Sequence, residues 1–348
     1  MGHGSARGPA PRGRGSLVAA LVFTLAAAAV LATVAGARPA KQQATIQVGL
    51  ITKDVTNPFF VKMKQGATQQ AAKLGAKLLY AAGKSSSDNA GQIAAIENQV
   101  TAGVKGILIT VADGKAENPA IAKARKAGVI VIALDTPTVP TSATNALFAT
   151  NNMNAGILIG RYARAATKGK TVHIAMIDEH PGSSVGALRH NGFLKGFGIS
   201  NSNSQVVCQG NGEGQTAPSQ TVMENCLQKD PDIDVVYTIN EPSAAGAWNA
   251  LNKAGKSKSD VTIVSVDGGC QGVRNVKAGI IDATSQQYPL KMAQMGVDAI
   301  AEYAKSGKKP EPTAGKTFVD TGVTLITDKP VDGVESKDTA FGLENCWG

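Results

Sequence analysis

Short apolar runs alternate with helix-like stretches along most of this 348-residue chain. The runs at residues 46–51 (IQVGLI), 106–111 (GILITV) and 129–134 (VIVIAL) have the length and composition of strands buried on both faces of a parallel sheet. The stretches between them have helical character and end at glycines such as Gly75 and Gly103. This alternation predicts right-handed βαβ units, in which helices cover both faces of each sheet.

The alternation stops near Thr150 and starts again at residue 172, continuing through three further apolar runs at residues 205–208, 235–239 and 262–266. A chain of this length suits two domains of about 100–200 residues each. We therefore predict an α/β fold made of two similar, doubly wound lobes.

The beginning of the chain has the three parts of a secretory signal peptide. Residues 1–16 are basic and contain no acid, residues 17–34 carry no charge, and residues 35–37 (AGA) form a small-x-small cleavage site. An uncleaved membrane anchor is the alternative, because 18 apolar residues just reach spanning length. The cleavage site favours removal of residues 1–37, and no cysteine near residue 37 would carry a lipid anchor.

Charge and cysteines set further limits on function. The formal net charge is +9, and losing Arg7, Arg12 and Arg14 with the signal peptide leaves about +6 (9 − 3). The basic residues are scattered and do not cluster with aromatics, which argues against nucleic-acid binding.

The four cysteines lack the spacing of a zinc site, so we expect no metal and no other cofactor. In an exported protein they can form disulfides, with three possible pairings. We predict Cys208–Cys226 and Cys270–Cys346, with buried free thiols as the alternative.

Polar residues follow several of the predicted strands. Asp135, Asn240 and Asp267 each come directly after an apolar run, and Asn57 follows the first run by a few residues. Ligands of open parallel sheets bind beyond the carboxyl ends of the strands, so these residues predict a cleft between the lobes. The alternative is that each one caps the helix that follows it.

One stretch resembles an enzyme motif. Residues 182–186 (GSSVG) match the G-x-S-x-G pattern of a nucleophilic serine, but the last histidine in the chain, His190, follows only a few residues later. A hydrolase of that type needs an acid and then a histidine further along the chain. We therefore expect these residues to begin a helix, and we expect no enzymatic activity.

These features together resemble the periplasmic sugar-binding proteins of the type that includes ribose receptors. The resemblance runs from about residue 45 to the end of the sequence. Several of its short motifs are most similar to those of the fructose-binding proteins of fructose/ribose/mannose importers. It is carried by residues 57–60 (NPFF), 131–135 (VIALD), 148–152 (FATNN), 239–241 (INE), 266–270 (VDGGC), 283–289 (ATSQQYP) and 346–348 (CWG), and by Arg189 before Gly192 and Phe193.

The resemblance implies two Rossmann-like lobes joined by three crossings near Thr150, Gln287 and residues 320–322. The first lobe would combine residues 44–150 with 288–321, and the second would combine residues 151–287 with 322–348. The implied sugar-binding residues are Asn57, Phe59, Phe60, Asp135, Asn152, Arg189, Asn240, Asp267 and Gln287.

The sequence departs from the ribose receptors at three positions. Thr110, Thr136 and Val266 stand where those receptors carry Asn, Arg and an aromatic residue. The implied pocket has lost an arginine and an aromatic wall, which argues against ribose as the ligand.

The resemblance implies a monomeric, non-enzymatic receptor that delivers a monosaccharide, with fructose as the best candidate, to an ABC permease and its ATPase subunits. Ribose, another hexose, a polyol or a furanose signal are the alternative ligands. A sugar-responsive transcription regulator shares the two lobes, but it needs a helix-turn-helix where this chain has a signal peptide. We expect the protein in the periplasm or at the outer face of the cytoplasmic membrane.

Overall fold

The computed structural model describes Met1 and residues 45–348, so the predicted signal peptide at residues 1–37 lies, apart from Met1, outside the described part. The strands are β1 (Gln47–Thr52), β2 (Lys77–Ala82), β3 (Gly106–Ile109), β4 (Ile130–Leu134), β5 (Ala146–Ala149), β6 (Ile174–Asp178), β7 (Val206–Asn211), β8 (Val235–Thr238), β9 (Thr262–Asp267), β10 (Ala283–Gln286), β11 (Val319–Asp320) and β12 (Thr324–Ile326). The α-helices are α1 (Pro58–Lys73), α2 (Asn89–Thr101), α3 (Asn118–Lys126), α4 (Asn152–Ala166), α5 (Ser184–Phe197), α6 (Thr216–Lys229), α7 (Glu241–Lys253), α8 (Cys270–Lys277), α9 (Pro289–Ser306) and α10 (Thr339–Asn345).

The strands form two six-stranded sheets. The first has the order β11-β5-β4-β3-β1-β2, and the second has the order β12-β10-β9-β8-β6-β7. Neighbouring strands are parallel throughout, except that β12 runs antiparallel to β10. The predicted fold class, two doubly wound α/β lobes, is confirmed.

Burial explains why the central strands are uninterrupted apolar runs. On one face of the first sheet, Leu50 and Leu108 pack in a cluster with Val297 and Ile300 of α9. On the other face, residues of the same strands pack with Ile121 of α3 and its neighbours. A strand that is covered on both faces needs apolar side chains at every position rather than at alternate ones.

The chain passes between the two sheets three times. It leaves the first sheet between β5 and α4, returns between β10 and α9, and leaves again between β11 and β12. The helix α4 packs on β9 and β10 of the second sheet, and α9 packs on β3, β4 and β5 of the first. Each sheet is therefore assembled from segments that are distant in the sequence.

Both predicted disulfides are present. Cys208–Cys226 joins β7 to α6 within the second lobe. Cys270–Cys346 joins the first residue of α8 to the residue that follows α10. The alternative of buried free thiols is therefore wrong.

Two local motifs are resolved by the fold. Ser183 of the GSSVG stretch caps α5, because its hydroxyl accepts a hydrogen bond from the Gly186 amide, as expected. In the glycine-rich stretch 210–214, Gly210 and Asn211 are the last residues of β7. Among the described residues, no helix has both the length and the apolar character needed to cross a membrane.

Candidate functional site

A narrow cavity lies between the two sheets, beyond the carboxyl ends of strands from both. Eight of the nine predicted binding residues line it: Asn57, Phe59, Phe60, Asp135, Arg189, Asn240, Asp267 and Gln287. The ninth, Asn152, does not line this cavity and lies directly behind it. The structure thus brings together residues that are as much as 230 positions apart in the sequence (287 − 57).

Arg189 of α5 lines the cavity and is buried. Its Nε donates to Asn152 Oδ1 at 2.8 Å, and its Nη1 donates to the Ile239 carbonyl oxygen at 3.0 Å. Two carboxylates lie slightly further away: Asp135 Oδ1 is 3.6 Å from Nη2, and Asp267 Oδ1 is 3.9 Å from Nη1. The guanidinium is therefore fixed in orientation without forming a close, two-pronged pair with either acid.

Asn152 orients the other members of this group. Its Nδ2 donates to the Asp135 carbonyl oxygen and to Asp135 Oδ1, both at 3.1 Å, while its Oδ1 accepts from Arg189. Both ends of its amide are thus occupied by protein groups. The geometry favours Asn152 as a support for Asp135 and Arg189 rather than as a group that faces the cavity.

Asp267 and Gln287 form a second polar pair. Gln287 Nε2 donates to Asp267 Oδ1 at 2.9 Å, but Gln287 Oε1 is buried without a hydrogen-bond partner. Burial raises the pKa of Asp267 to about 7, although the nearby Arg189 charge opposes the shift. A buried acceptor without a donor is unfavourable, so this part of the wall is suited to a ligand that brings hydroxyl donors.

The backbone of the site is strained. Four non-glycine residues in the described part of the chain have positive φ angles, and three of them line the cavity: Asp135 (58°), Glu213 (54°) and Asp267 (150°). Such conformations cost energy and tend to occur at functional sites. All three residues are acidic, so the strained positions of the cavity wall all carry carboxylates.

Two predicted residues also serve as helix caps. Asn57 Oδ1 accepts from the Phe59 amide at 3.0 Å, and Asn240 Oδ1 accepts from the Ser243 amide at 3.0 Å. Asn240 Nδ2 in addition donates to the Gly214 carbonyl oxygen at 2.9 Å. The capping alternative thus holds for both side-chain oxygens, while the residues themselves line the cavity.

Two aromatic residues contribute to the apolar lining of the cavity. Phe59 and Phe60 are both buried and contact each other edge to face, with ring centroids 5.6 Å apart. They line the cavity and also belong to the core cluster of the first sheet. Trp347 belongs to the CWG motif of the family resemblance and was not among the predicted binding residues. Its ring packs edge to face on the Phe59 ring, with centroids 5.5 Å apart.

A charged pair at the cavity joins the two lobes and was not predicted. Lys53 directly follows β1, and Glu179 directly follows β6. Lys53 Nζ lies 2.8 Å from Glu179 Oε1, and both side chains are buried. Burial alone would raise the pKa of Glu179, but the Lys53 charge and hydrogen bonds from Lys53 and Ser183 lower it overall. The strand-end pattern that selected Asp135 could also have selected these two residues.

A second contact between the lobes lies next to this pair. The Ser86 hydroxyl donates to Glu213 Oε2 at 3.0 Å, and His180 Nε2 lies 3.0 Å from the Ser86 carbonyl oxygen. Ser86 comes from the first lobe, and the other two residues come from the second. Side chains of the two lobes are therefore hydrogen-bonded to each other across the cleft.

The chain is similar to known binding proteins over most of its length. Residues 48–309, which are 262 of the 348, match the family model described as periplasmic binding protein domain. The ribose import binding protein of Bacillus subtilis is 30% identical over 266 residues, covering 76% of this chain and 84% of the relative. The D-allose-binding periplasmic protein of Escherichia coli is 26% identical over 274 residues, covering 76% and 86%.

Solved structures agree with these relatives. An ABC transporter solute-binding protein from Agrobacterium vitis with bound D-fucose superposes with a TM-score of 0.75 at 27% identity, covering 87% of this chain and 100% of that one. The expectation of a binding protein rather than an enzyme is confirmed by these relationships. From the two-lobed fold, the cavity between the lobes and the match over three quarters of its length, we conclude that the chain belongs to the periplasmic binding protein family.

Proposed function

We propose that this protein is the substrate-binding component of an ABC sugar importer and that it holds one neutral monosaccharide in the cavity between its lobes. The observation that carries the proposal is the arrangement of Arg189 between Asp135 and Asp267, beside the unpartnered Gln287 oxygen, inside a buried cavity. The relatives named for ribose and D-allose import or binding support the same class of ligand.

The proposal follows from the hydrogen-bonding capacity of sugars. Each sugar hydroxyl both donates and accepts, so it can donate to Asp135 or Asp267 and accept from Arg189 at the same time. The 3.6 Å and 3.9 Å separations around Arg189 leave the donors and acceptors oriented for such a ligand. We expect Phe59 and Phe60 to contact the apolar face of the sugar ring.

The charge of the site indicates a neutral ligand. Asp135 and Asp267 together face a single guanidinium, while Lys53 is already paired with Glu179. An anionic sugar would add a negative charge next to two acids in a buried site, which is unfavourable. We therefore expect sugar acids and sugar phosphates to bind far more weakly than neutral sugars.

Fructose remains our best candidate, because several short sequence motifs resemble those of fructose-binding proteins. Ribose, D-allose, another hexose, a polyol or a furanose are the alternatives, and the named relatives support ribose and D-allose. A sugar that lacks one matched hydroxyl would leave a buried polar group unpaired, at a cost of about 1–3 kcal/mol. This cost would allow the site to discriminate epimers.

The proposal also covers export of the protein and closure of its lobes around the sugar. We propose that residues 1–37 are removed on export, and that the lobes comprise residues 44–150 with 288–321 and residues 151–287 with 322–348. A monomer would close around the sugar by hinge rotation at the three crossings and would present the closed state to the permease. The contacts of Lys53 and Ser86 across the cleft support such a closed state.

Thermal unfolding of residues 38–348 with a panel of sugars tests the proposal. Fructose, ribose, D-allose, mannose, glucose and myo-inositol form the panel, and glucuronate is the anionic control. A ligand at 100 times its Kd stabilises the native state by about 2.7 kcal/mol, which is a clear shift in Tm. A shift with neutral sugars but not with glucuronate is the expected result. A folded, ligand-free protein that responds to no neutral sugar contradicts the proposal.

A further inference from the structure

The last three residues of the sequence, Cys346, Trp347 and Gly348, form a segment that we call the 346–348 segment. It follows α10 and is tied to the start of α8 by the Cys270–Cys346 disulfide. The Cys270 amide also donates to the Trp347 carbonyl oxygen at 2.9 Å. The segment is thus anchored to the second lobe, three residues beyond Asp267 in the cavity wall.

The side chain of Trp347 nevertheless packs against the first lobe. It is only 5% exposed and belongs to the core cluster that contains Phe59, Phe60 and residues of the first sheet. Its ring meets the Phe59 ring edge to face, with centroids 5.5 Å apart and planes inclined at 74°. A side chain held by one lobe therefore supports an aromatic residue that lines the cavity from the other.

Trp347 also contacts the crossing between β10 and α9. Its Nε1 donates to the Gln287 carbonyl oxygen at 2.8 Å, and the Gln287 side chain in turn donates to Asp267. Gly269 lies so close that an added Cβ would be 3.3 Å from the Trp347 carbonyl oxygen. One residue therefore contacts Phe59, Gln287 and the backbone that carries Asp267, although it is absent from the cavity lining itself.

We propose that Trp347 is a positioning residue of the sugar site, held in place by the Cys270–Cys346 disulfide. It fixes the Phe59 ring and the Gln287 backbone in the orientation that the closed cavity requires. This inference rests on the proposed sugar-binding function. Its physical basis is preorganisation: side chains that are already held in the bound orientation lose less conformational freedom when the ligand binds.

The same geometry makes Trp347 a reporter of cleft closure. Because it is attached to the second lobe and packs on the first, opening the cleft must change its surroundings. The sequence contains two tryptophans, and the other, Trp248 of α7, packs in a separate cluster of the second lobe. In a Trp248→Phe variant, the tryptophan fluorescence therefore comes from Trp347 alone.

The test uses the purified protein and calorimetric titration with D-fructose, with ribose and D-allose in parallel. Trp347→Leu removes the aromatic contact and the N–H donor, and we expect it to raise Kd about tenfold. Trp347→Phe keeps a ring against Phe59 and loses only the donor, so its Kd should lie between those of the wild type and Trp347→Leu. In Trp248→Phe, the sugar should change the emission of Trp347.

The second disulfide provides the matched control. Cys270→Ala/Cys346→Ala frees the 346–348 segment, and we expect it to raise Kd several-fold while Trp347 is still present. Cys208→Ala/Cys226→Ala removes the other disulfide, which joins β7 to α6 and has neither cysteine in the cavity lining. It should lower Tm without changing Kd.

Three results would overturn the inference. A folded Trp347→Leu that binds as tightly as the wild type would do so, and so would equal Kd changes in the two disulfide variants. Unchanged Trp347 emission at saturating sugar in Trp248→Phe would have the same meaning. The titration of the wild type separates this failure from that of the proposed function: if no sugar of the panel binds the wild type, both are wrong, whereas the three results above leave the sugar receptor intact.

Discussion

The cavity has two polar regions that differ in how tightly their charges are paired. The inner set consists of Asp135, Arg189, Asp267 and Gln287, with Asn152 behind them. The outer set consists of Lys53, Ser86, Glu179 and Glu213. In the inner set the charged atoms are 3.6 Å and 3.9 Å apart, whereas Lys53 and Glu179 in the outer set are 2.8 Å apart.

The difference indicates that the two sets of residues have different roles. The inner set is oriented by amides but still contains an unpartnered oxygen on Gln287, so it can gain hydrogen bonds from a ligand. The Lys53–Glu179 pair of the outer set is already formed, and it joins residues from opposite lobes. We infer that the inner set recognises the sugar, while the outer set contributes mainly to holding the cleft closed.

The largest effect is expected from Arg189→Met in the inner set. Removing the guanidinium takes away the donors that Arg189 offers to the sugar, and it leaves Asp135 and Asp267 buried without a positive partner, which costs the folded protein about 3 kcal/mol or more. Sugar affinity should fall at least about 100-fold in calorimetric titration. Lys123→Met, which removes a pair between exposed side chains of Lys123 and Glu97, is the control and should bind normally.

A smaller effect is expected from Lys53→Met in the outer set. If this pair acts on closure, affinity should fall about tenfold for every sugar, and the ranking of sugars should stay the same. Lys53→Met/Glu179→Gln should recover part of the loss, because no buried charge is then left alone. A changed ranking of sugars in Lys53→Met would mean that Lys53 contacts the ligand. The roles proposed for the inner and outer sets would then be wrong.

The inner set should also respond to pH in the absence of sugar. Burial raises the pKa of Asp267 from 3.8 to about 7. Its contribution to stability is therefore full below its ordinary pKa and is lost as the pH rises through about 7. Between pH 6 and pH 9, the unfolding free energy of the wild type should fall by roughly 1 kcal/mol relative to Asp267→Asn.

Chemical denaturation at a series of pH values measures this difference. Arg189, Asp135 and Glu241 all face Asp267, and burial also raises the pKa of Glu241 to about 8, so some pH dependence should persist in Asp267→Asn. Asp332→Asn at an exposed position is the control and should run parallel to the wild type. A wild-type curve parallel to that of Asp267→Asn would show that the carboxylate is already ionised at pH 6.

The smallest effect is expected from Asn240→Ser, which separates the two uses of this residue. Serine can still cap α7, so unfolding free energy should change by only a few tenths of a kcal/mol. The amide group would be lost, so sugar affinity should fall about threefold to tenfold in the same titration. Unchanged affinity would leave Asn240 as a helix cap only.

Most of the fold could be predicted from the sequence because the central strands are continuous apolar runs. The strands β5, β10, β11 and β12 were not identified, since they have only two to four residues and β10 (ATSQ) is largely polar. The two shortest pair with strands that lie further away in the chain, β11 with β5 and β12 with β10. Local patterns carry no information about such pairing.

The site was predictable to the extent that it follows strand ends or a family motif. Asp135 and Asp267 were found from their positions after apolar runs, and Arg189 from the family resemblance. Lys53 and Glu179 each follow a strand and could have been selected one by one, but their pairing joins residues 126 positions apart, so no local pattern could reveal it. The support that Trp347 gives to Phe59 likewise exists only after both lobes have formed.

The path of α9 has a consequence for the order of folding. This helix fills one face of the first sheet with Met292, Val297 and Ile300, yet it follows β10 in the sequence. A chain that emerges from the ribosome or from a translocon with its N-terminus first therefore cannot close its first core until residue 300 or so has appeared. Native pairing at such long range slows folding. The first lobe therefore cannot complete its fold until nearly the whole chain has been synthesised or translocated.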